Sequence, residues 1–163
     1  MASNPPPDLV LTPLNGKAKT VEEFLTIFDL CVVVLDPFTD ESAWLLETAG
    51  RILQTFDQAD VRVAWLMAGA TADESRLFLG PWATRIMTFA DPDRTAVKAL
   101  GLERLPALVH IGIDGNVLGA DEGWHPAAWR GIANNLAKRM AWLPPVIPEP
   151  GDPGPFEGSP AVA

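Results

Sequence analysis

Apolar positions along this chain recur at two spacings that alternate. Leu30–Leu35 is an unbroken apolar run centred on three valines, the pattern of a strand buried on both faces. Val61–Met67 and Ile86–Ala90, broken only at Arg62 and Thr88, read as a second and third strand. Between the first two, Leu45, Leu46, Ala49, Ile52, Leu53 and Phe56 recur at helical period, which predicts a helix with one core-facing stripe. Thr20-Val21-Glu22-Glu23 and Thr71-Ala72-Asp73-Glu74 both carry the Thr-x-x-Glu spacing of a capping box. The first opens a short helix through about Phe28, and the second a helix closed at Gly80-Pro81. Thr95–Leu100 reads as a short helix stopped by Gly101. Leu108–Ile113 and Val117–Ala120 flank Asp114-Gly115-Asn116, a strong hairpin signal. The last helix opens near Pro126, buries Trp129, Ile132, Ala133, Leu136 and Met140, and stops at Pro144-Pro145. Parallel βαβ units followed by a hairpin and a covering helix predict a three-layer α/β/α domain with a mixed sheet.

The two ends break this pattern. Residues 143–163 hold seven of the sixteen prolines, with acidic residues and no basic one, and residues 1–15 hold four. Proline fixes φ and removes a donor, so the division expected is a Pro-rich extension over 1–17, a domain over 18–142 and a disordered acidic tail over 143–163. A docking peptide is the sharper alternative for that tail.

The net charge of −9 argues against nucleic acid or an anionic lipid surface as partner, since both call for a basic face. No apolar run is long enough for membrane insertion, and Met1–Asp8 has neither the basic nor the apolar region of a secretory signal, so a cytoplasmic location is expected. One cysteine, Cys31, precludes an internal disulfide. Cys31, His110 and His125 have no metal-ligand spacing, and no Walker or Gly-x-Gly-x-x-Gly motif occurs, so neither metal nor cofactor is expected.

Gly101-Leu102-Glu103-Arg104-Leu105-Pro106-Ala107-Leu108-Val109, followed by the hairpin and Pro126–Trp142, resembles the thioredoxin superfamily, in which a cis-proline precedes a core strand. The inserted helix and strand over Thr71–Ala90 look like its peroxiredoxin-like and TlpA-like branch. The resemblance spans about residues 18–142 and implies that Asp36–Leu45 occupies the place of the Cys-x-x-Cys loop. There the chain has Ser42 for the nucleophilic sulfur and Leu45 for the resolving one. Disulfide exchange needs two sulfurs close enough to bond, so the redox activity of the superfamily does not carry over.

What does carry over is a polypeptide-binding face. In thioredoxin-like proteins the backbone beside the cis-proline pairs with an extended substrate, so Phe38, Ser42, Trp44, Leu105 and Pro106 are the expected partner-binding residues. Trp44, Trp82 and Trp124 each suit either a core or a recognition role. Asp36, Asp40 and Glu41 suit the positive end of a helix dipole or, alternatively, acid–base work. The leading expectation is a redox-inactive protein-binding module, a complex subunit or assembly chaperone. Gly123-Trp124-His125-Pro126 points to the chaperone version, because it resembles the Gly-x-His-Pro of thioredoxin-like hydrogenase-maturation proteins that lack the dithiol. The competing expectation is an enzyme, either a lone-thiol oxidoreductase using Cys31 or a glutathione-dependent enzyme using Ser42.

Overall fold

The structure of the chain, a computed structural model, describes residues 1–162. Its elements in order are β1 (Val10–Pro13), β2 (Lys19–Thr20), α1 (Val21–Phe24), β3 (Asp29–Leu35), α2 (Asp40–Thr55), β4 (Val61–Ala68) and α3 (Ala72–Leu79). They continue with α4 (Trp82–Arg85), β5 (Met87–Asp91), α5 (Thr95–Ala99), β6 (Arg104–Leu105), β7 (Ala107–Ile111), β8 (Val117–Glu122), α6 (Pro126–Met140) and β9 (Ser159–Pro160). Seven strands form one mixed sheet in the order β2-β1-β5-β4-β3-β7-β8, while β6 and β9 make a separate pair.

β3 is the axis of the sheet. It runs parallel to β4 and antiparallel to β7, with Cys31 opposite both Val63 and His110. Every residue of β3 is buried, and alternate side chains feed two cores. Cys31, Val33 and Leu35 pack with α2, α4 and α6, whereas Leu30, Val32 and Val34 pack with α1, α5 and the N-terminal segment. The result is the three-layer α/β/α arrangement, with β7–β8 as its C-terminal hairpin and α6 as the covering helix. Both capping boxes form: the Thr20 and Thr71 hydroxyls accept from the N–H of Glu23 and Glu74, and each glutamate returns a bond to its threonine N–H.

Three segments depart from the sequence expectation. α1 ends at Phe24 rather than Phe28, with the Thr26 hydroxyl bonded back to the Glu23 carbonyl. Residues 1–17 are not an extension outside the core, because β1 pairs with β5 and buries Leu9 and Leu11. Residues 143–162 are not disordered. They form an extended strap that buries Ile147 and Ala161 and ends paired with β6. Proline explains both the expectation and its failure: a segment with fixed φ cannot form a ladder interior, yet it loses little entropy on being laid down extended. Both ends of the chain converge on Glu103, whose carboxylate meets the Met1 ammonium at 3.2 Å and whose carbonyl accepts from the Ala161 N–H at 2.8 Å.

At the opposite end of β3, Asp29 is buried beneath three donors. Arg139 donates to it through Nε at 2.6 Å, the Ile113 N–H donates at 3.1 Å, and His110 Nε2 lies 2.8 Å away. Burial pushes the Asp29 carboxyl up, but the bonds from Arg139 and His110 outweigh that and hold it below the usual carboxylate value. Its stabilisation is therefore complete above the ordinary aspartate range and is lost as pH falls through the lowered value. Asp29→Ala should cost about 1–3 kcal/mol in urea denaturation at pH 7, because it leaves the buried His110 Nε2 and the Ile113 N–H without their acceptor while the half-exposed Arg139 turns to water. The gap between variant and wild type should narrow in acid. A variant as stable as wild type at pH 7 would show that the cluster does not hold the sheet to α6.

Candidate functional site

β3 delivers the chain to the loop at Asp36, and that loop is closed by its own polar groups. The Asp36 N–H donates to Ser42 Oγ at 2.9 Å, the Asp36 carboxylate accepts from the Phe38 N–H at 2.9 Å, and the Thr39 hydroxyl donates to the Asp36 carbonyl at 3.1 Å. Asp40 and Glu41 follow in the first turn of α2, where the helix dipole favours negative charge. Ser42 and Leu45, at the two positions expected to replace sulfur, are fully buried. The Ser42 hydroxyl is thus committed to holding the loop.

Around this loop the expected binding residues separate into two groups. Phe38 and Trp44 stand on the surface, 63% and 59% exposed, on either side of the first turn of α2. Ser42, Leu105 and Pro106 are buried, so of these three only backbone groups could meet a partner. Leu105 closes the second core, the Leu105–Pro106 bond is cis, and the Pro106 carbonyl accepts from the Gly123 N–H at 2.7 Å.

The backbone edge beside that proline is already paired, and with this same chain. Leu105 lies opposite Ser159 and Arg104 opposite Pro160 in the β6–β9 ladder. One step earlier, Phe156 exchanges two main-chain bonds with Trp124, at 2.7 and 3.0 Å. Carbonyls that proline-rich backbone leaves free are taken by arginine: Val146 by Arg51, Ile147 by Arg130, Glu157 and Gly158 by Arg104, and Ala161 by Arg94. Arg94 also donates to Asp36 at 2.8 Å, tying the strap to the loop. It does so from a left-handed backbone conformation, φ 58°, with its guanidinium lying where a side chain on Gly69 would be. Sequence reasoning assigned no role to Arg94 or Arg104. The available signal was Val146-Ile147, Phe156 and Ala161-Val162, apolar residues spaced among the prolines and carboxylates of the tail.

Trp82 and Trp124 are buried. Trp82 packs on Gly50, where a Cβ would meet its ring at 2.6 Å, and Trp124 packs edge-on to Trp129 with its indole N–H on the Pro153 carbonyl. Trp44 instead meets Phe156 edge-on at 5.8 Å, so the strap adds a third aromatic to the exposed pair. His125 bridges Glu157 of the strap at 3.0 Å and Asp121 of β8 at 2.8 Å. Bonds to Glu157 and then Asp121 raise its pKa above the ordinary imidazole value.

Cys31 lies four residues before Leu35, roughly 13 Å down β3 at about 3.3 Å per residue. It is buried, and burial together with the Asp29 charge pushes its thiol up to about 12. Among the described residues, no group of three or more His, Cys, Asp and Glu is placed to hold a metal ion, and no helix is long and apolar enough to cross a membrane.

No protein-family model matches the chain, and no curated protein matches it by sequence. Solved structures do match by shape. A putative thiol:disulfide interchange protein DsbE from Chlorobium tepidum superposes with TM-score 0.69 at 14% identity, over 86% of this chain and 98% of that one. A putative thioredoxin from Neisseria meningitidis gives 0.68 at 16% over 85% and 92%, and a cysteine mutant of PrxQ from Xylella fastidiosa gives 0.66 at 15% over 85% and 96%. The chain therefore has the thioredoxin-like fold, and identities this low establish the fold alone.

Two outcomes follow from this geometry. A thiol at about 12 is ionised in roughly one molecule in ten thousand at pH 8, so native Cys31 should resist iodoacetamide and react only in denaturant. Rapid alkylation of the folded chain would reopen the lone-thiol reading. The His125 contact contributes fully below the ordinary imidazole value of 6.5 and is lost as pH rises through the raised one. After correction for intrinsic exchange, the Phe156 amide should therefore lose protection from hydrogen exchange across that interval, and His125→Gln should abolish the pH dependence.

Proposed function

We propose that this chain is a redox-inactive thioredoxin-fold protein that works by binding another polypeptide, as a stable subunit or an assembly chaperone. The observation that carries the reading is the pairing of two facts at one place. The residues standing where sulfur would act, Ser42 and Leu45, are sealed in the core, while Phe38 and Trp44 beside them are held out in water. Large aromatic side chains bury much area at little entropic cost, which is why they anchor interfaces. Ser42 and Pro106 then act by shaping the surface, Leu105 by its backbone edge, and Phe38 and Trp44 by touching the partner. The glutathione-dependent alternative needs a free Ser42 hydroxyl, and this one is buried and accepts from the Asp36 N–H.

Affinity purification with wild type, Phe38→Ala, Trp44→Ala and the surface control Leu77→Ala tests the reading. Trp44→Ala should weaken partner recovery by an amount worth about 2–4 kcal/mol, some 30- to 1,000-fold in affinity. Because Trp44 is largely exposed, its loss should cost about 1 kcal/mol of stability or less, roughly 2–4 °C in melting temperature. Neither insulin reduction nor peroxide turnover should exceed that of a heat-denatured control. Recovery of the same partners by wild type and both aromatic variants would overturn the assignment of the surface, and catalytic turnover would overturn the redox-inactive reading.

A further inference from the structure

The strap residues 156–161 are bound as a ligand is bound. They lie in a cleft whose walls are the first turn of α2, the β6 edge and the Gly123-Trp124-His125 turn. Every wall supplies a contact of a different kind. Main-chain pairing comes from β6 and from Trp124. Arg104 grips two successive carbonyls, those of Glu157 and Gly158, through Nε at 3.1 Å and Nη2 at 2.6 Å. These contacts give affinity and do not depend on which side chains the segment carries.

Selection comes position by position. Phe156 stacks edge-on against Trp44, and Glu157 reaches His125. At Gly158, φ is +86° and a Cβ would run into the Leu105 carbonyl oxygen, so only glycine fits. Gly123 is its counterpart on the cleft side, where a Cβ would lie 2.6 Å from the Glu157 carbonyl oxygen. The Ser159 hydroxyl donates to the Glu41 carboxylate and holds its pKa below the usual value. Pro160 is exposed, and Ala161 is fully buried in the second core. The segment is joined to the rest of the strap by Gly151-Asp152-Pro153-Gly154-Pro155, which has no helix or strand of its own.

We propose that this cleft is a recognition site for an extended peptide of the pattern aromatic–acidic–Gly–Ser–Pro–small, and that Phe156–Ala161 is a resident occupant which a partner segment of the same pattern displaces. The proposal rests on the protein-binding reading above and names the partner's chemistry at that site. A tethered occupant competes at an effective concentration on the order of millimolar. A free segment of equal intrinsic affinity is thus kept out of the wild-type chain, because apparent affinity falls with the fraction of open cleft. Entry requires either tighter contacts or release of the strap.

The test uses the full chain and a fluorescein-labelled synthetic peptide copying Pro155–Ala161, read by anisotropy. Gly158→Ala in the protein should expel the strap and raise the apparent affinity for the peptide at least tenfold over wild type. A peptide carrying the same glycine-to-alanine change should bind neither protein. Ala161→Asp, which places a charge in the apolar socket at the other end, should open the cleft independently. If both variants melt like wild type and bind no peptide, or if both lose the whole domain in one cooperative transition, the strap is an integral part of the core and the proposal is overturned. Absent peptide binding alongside partner capture that still depends on Trp44 would sink the cleft and leave the aromatic surface standing. Peptide binding with no partner captured would do the reverse.

Discussion

Strand β3 leaves the chain few choices. It is paired on both edges and buried on both faces, so nothing along its length is free to meet solvent or ligand. Chemistry is pushed to its ends. At one end Asp29 anchors α6 through Arg139, and at the other Asp36 organises the loop that starts α2. Cys31, in between, is confined to the role of a small apolar side chain, however reactive a thiol is in principle.

Serine at the start of α2 has a structural task of its own. A thiol is a weak acceptor, whereas the Ser42 hydroxyl satisfies the buried Asp36 N–H at ordinary hydrogen-bond distance. Buried and bonded in this way, the Ser42 hydroxyl holds the loop from inside. The surface above it is left to the exposed Phe38 and Trp44.

Much of the fold could be read from residue patterns because its signals are local. Thr20 with Glu23 and Thr71 with Glu74 close capping boxes within four residues, and Asp114-Gly115 turns the β7–β8 hairpin within a few more. The position of the loop at Asp36–Leu45 followed from the order of those elements. What escaped is held by distant partners. β1 gains its place only by pairing with β5, and the strap depends on arginines 51, 94, 104 and 130, none of which is near it in the chain except Arg130. Composition alone describes the strap as a chain too polar and too proline-rich to fold, since it counts side chains and not the carbonyls that arginine can bind. For the same reason Leu105 and Pro106 could be placed beside the working face, but not seen to be covered.

The convergence of both chain ends on Glu103 has a practical side. Met1 reaches its carboxylate and Ala161 its carbonyl, so the molecule is close to a ring whose seam runs past the cleft. A bulky label attached at Met1 or at Ala161 therefore sits next to the Arg104–Leu105 edge and crowds it. Attachment through the turn at Asp57–Asp60 leaves the seam clear, because Val61 lies opposite Asp29 at one end of β3 whereas Ala107, next to that edge, lies opposite Val34 at the other.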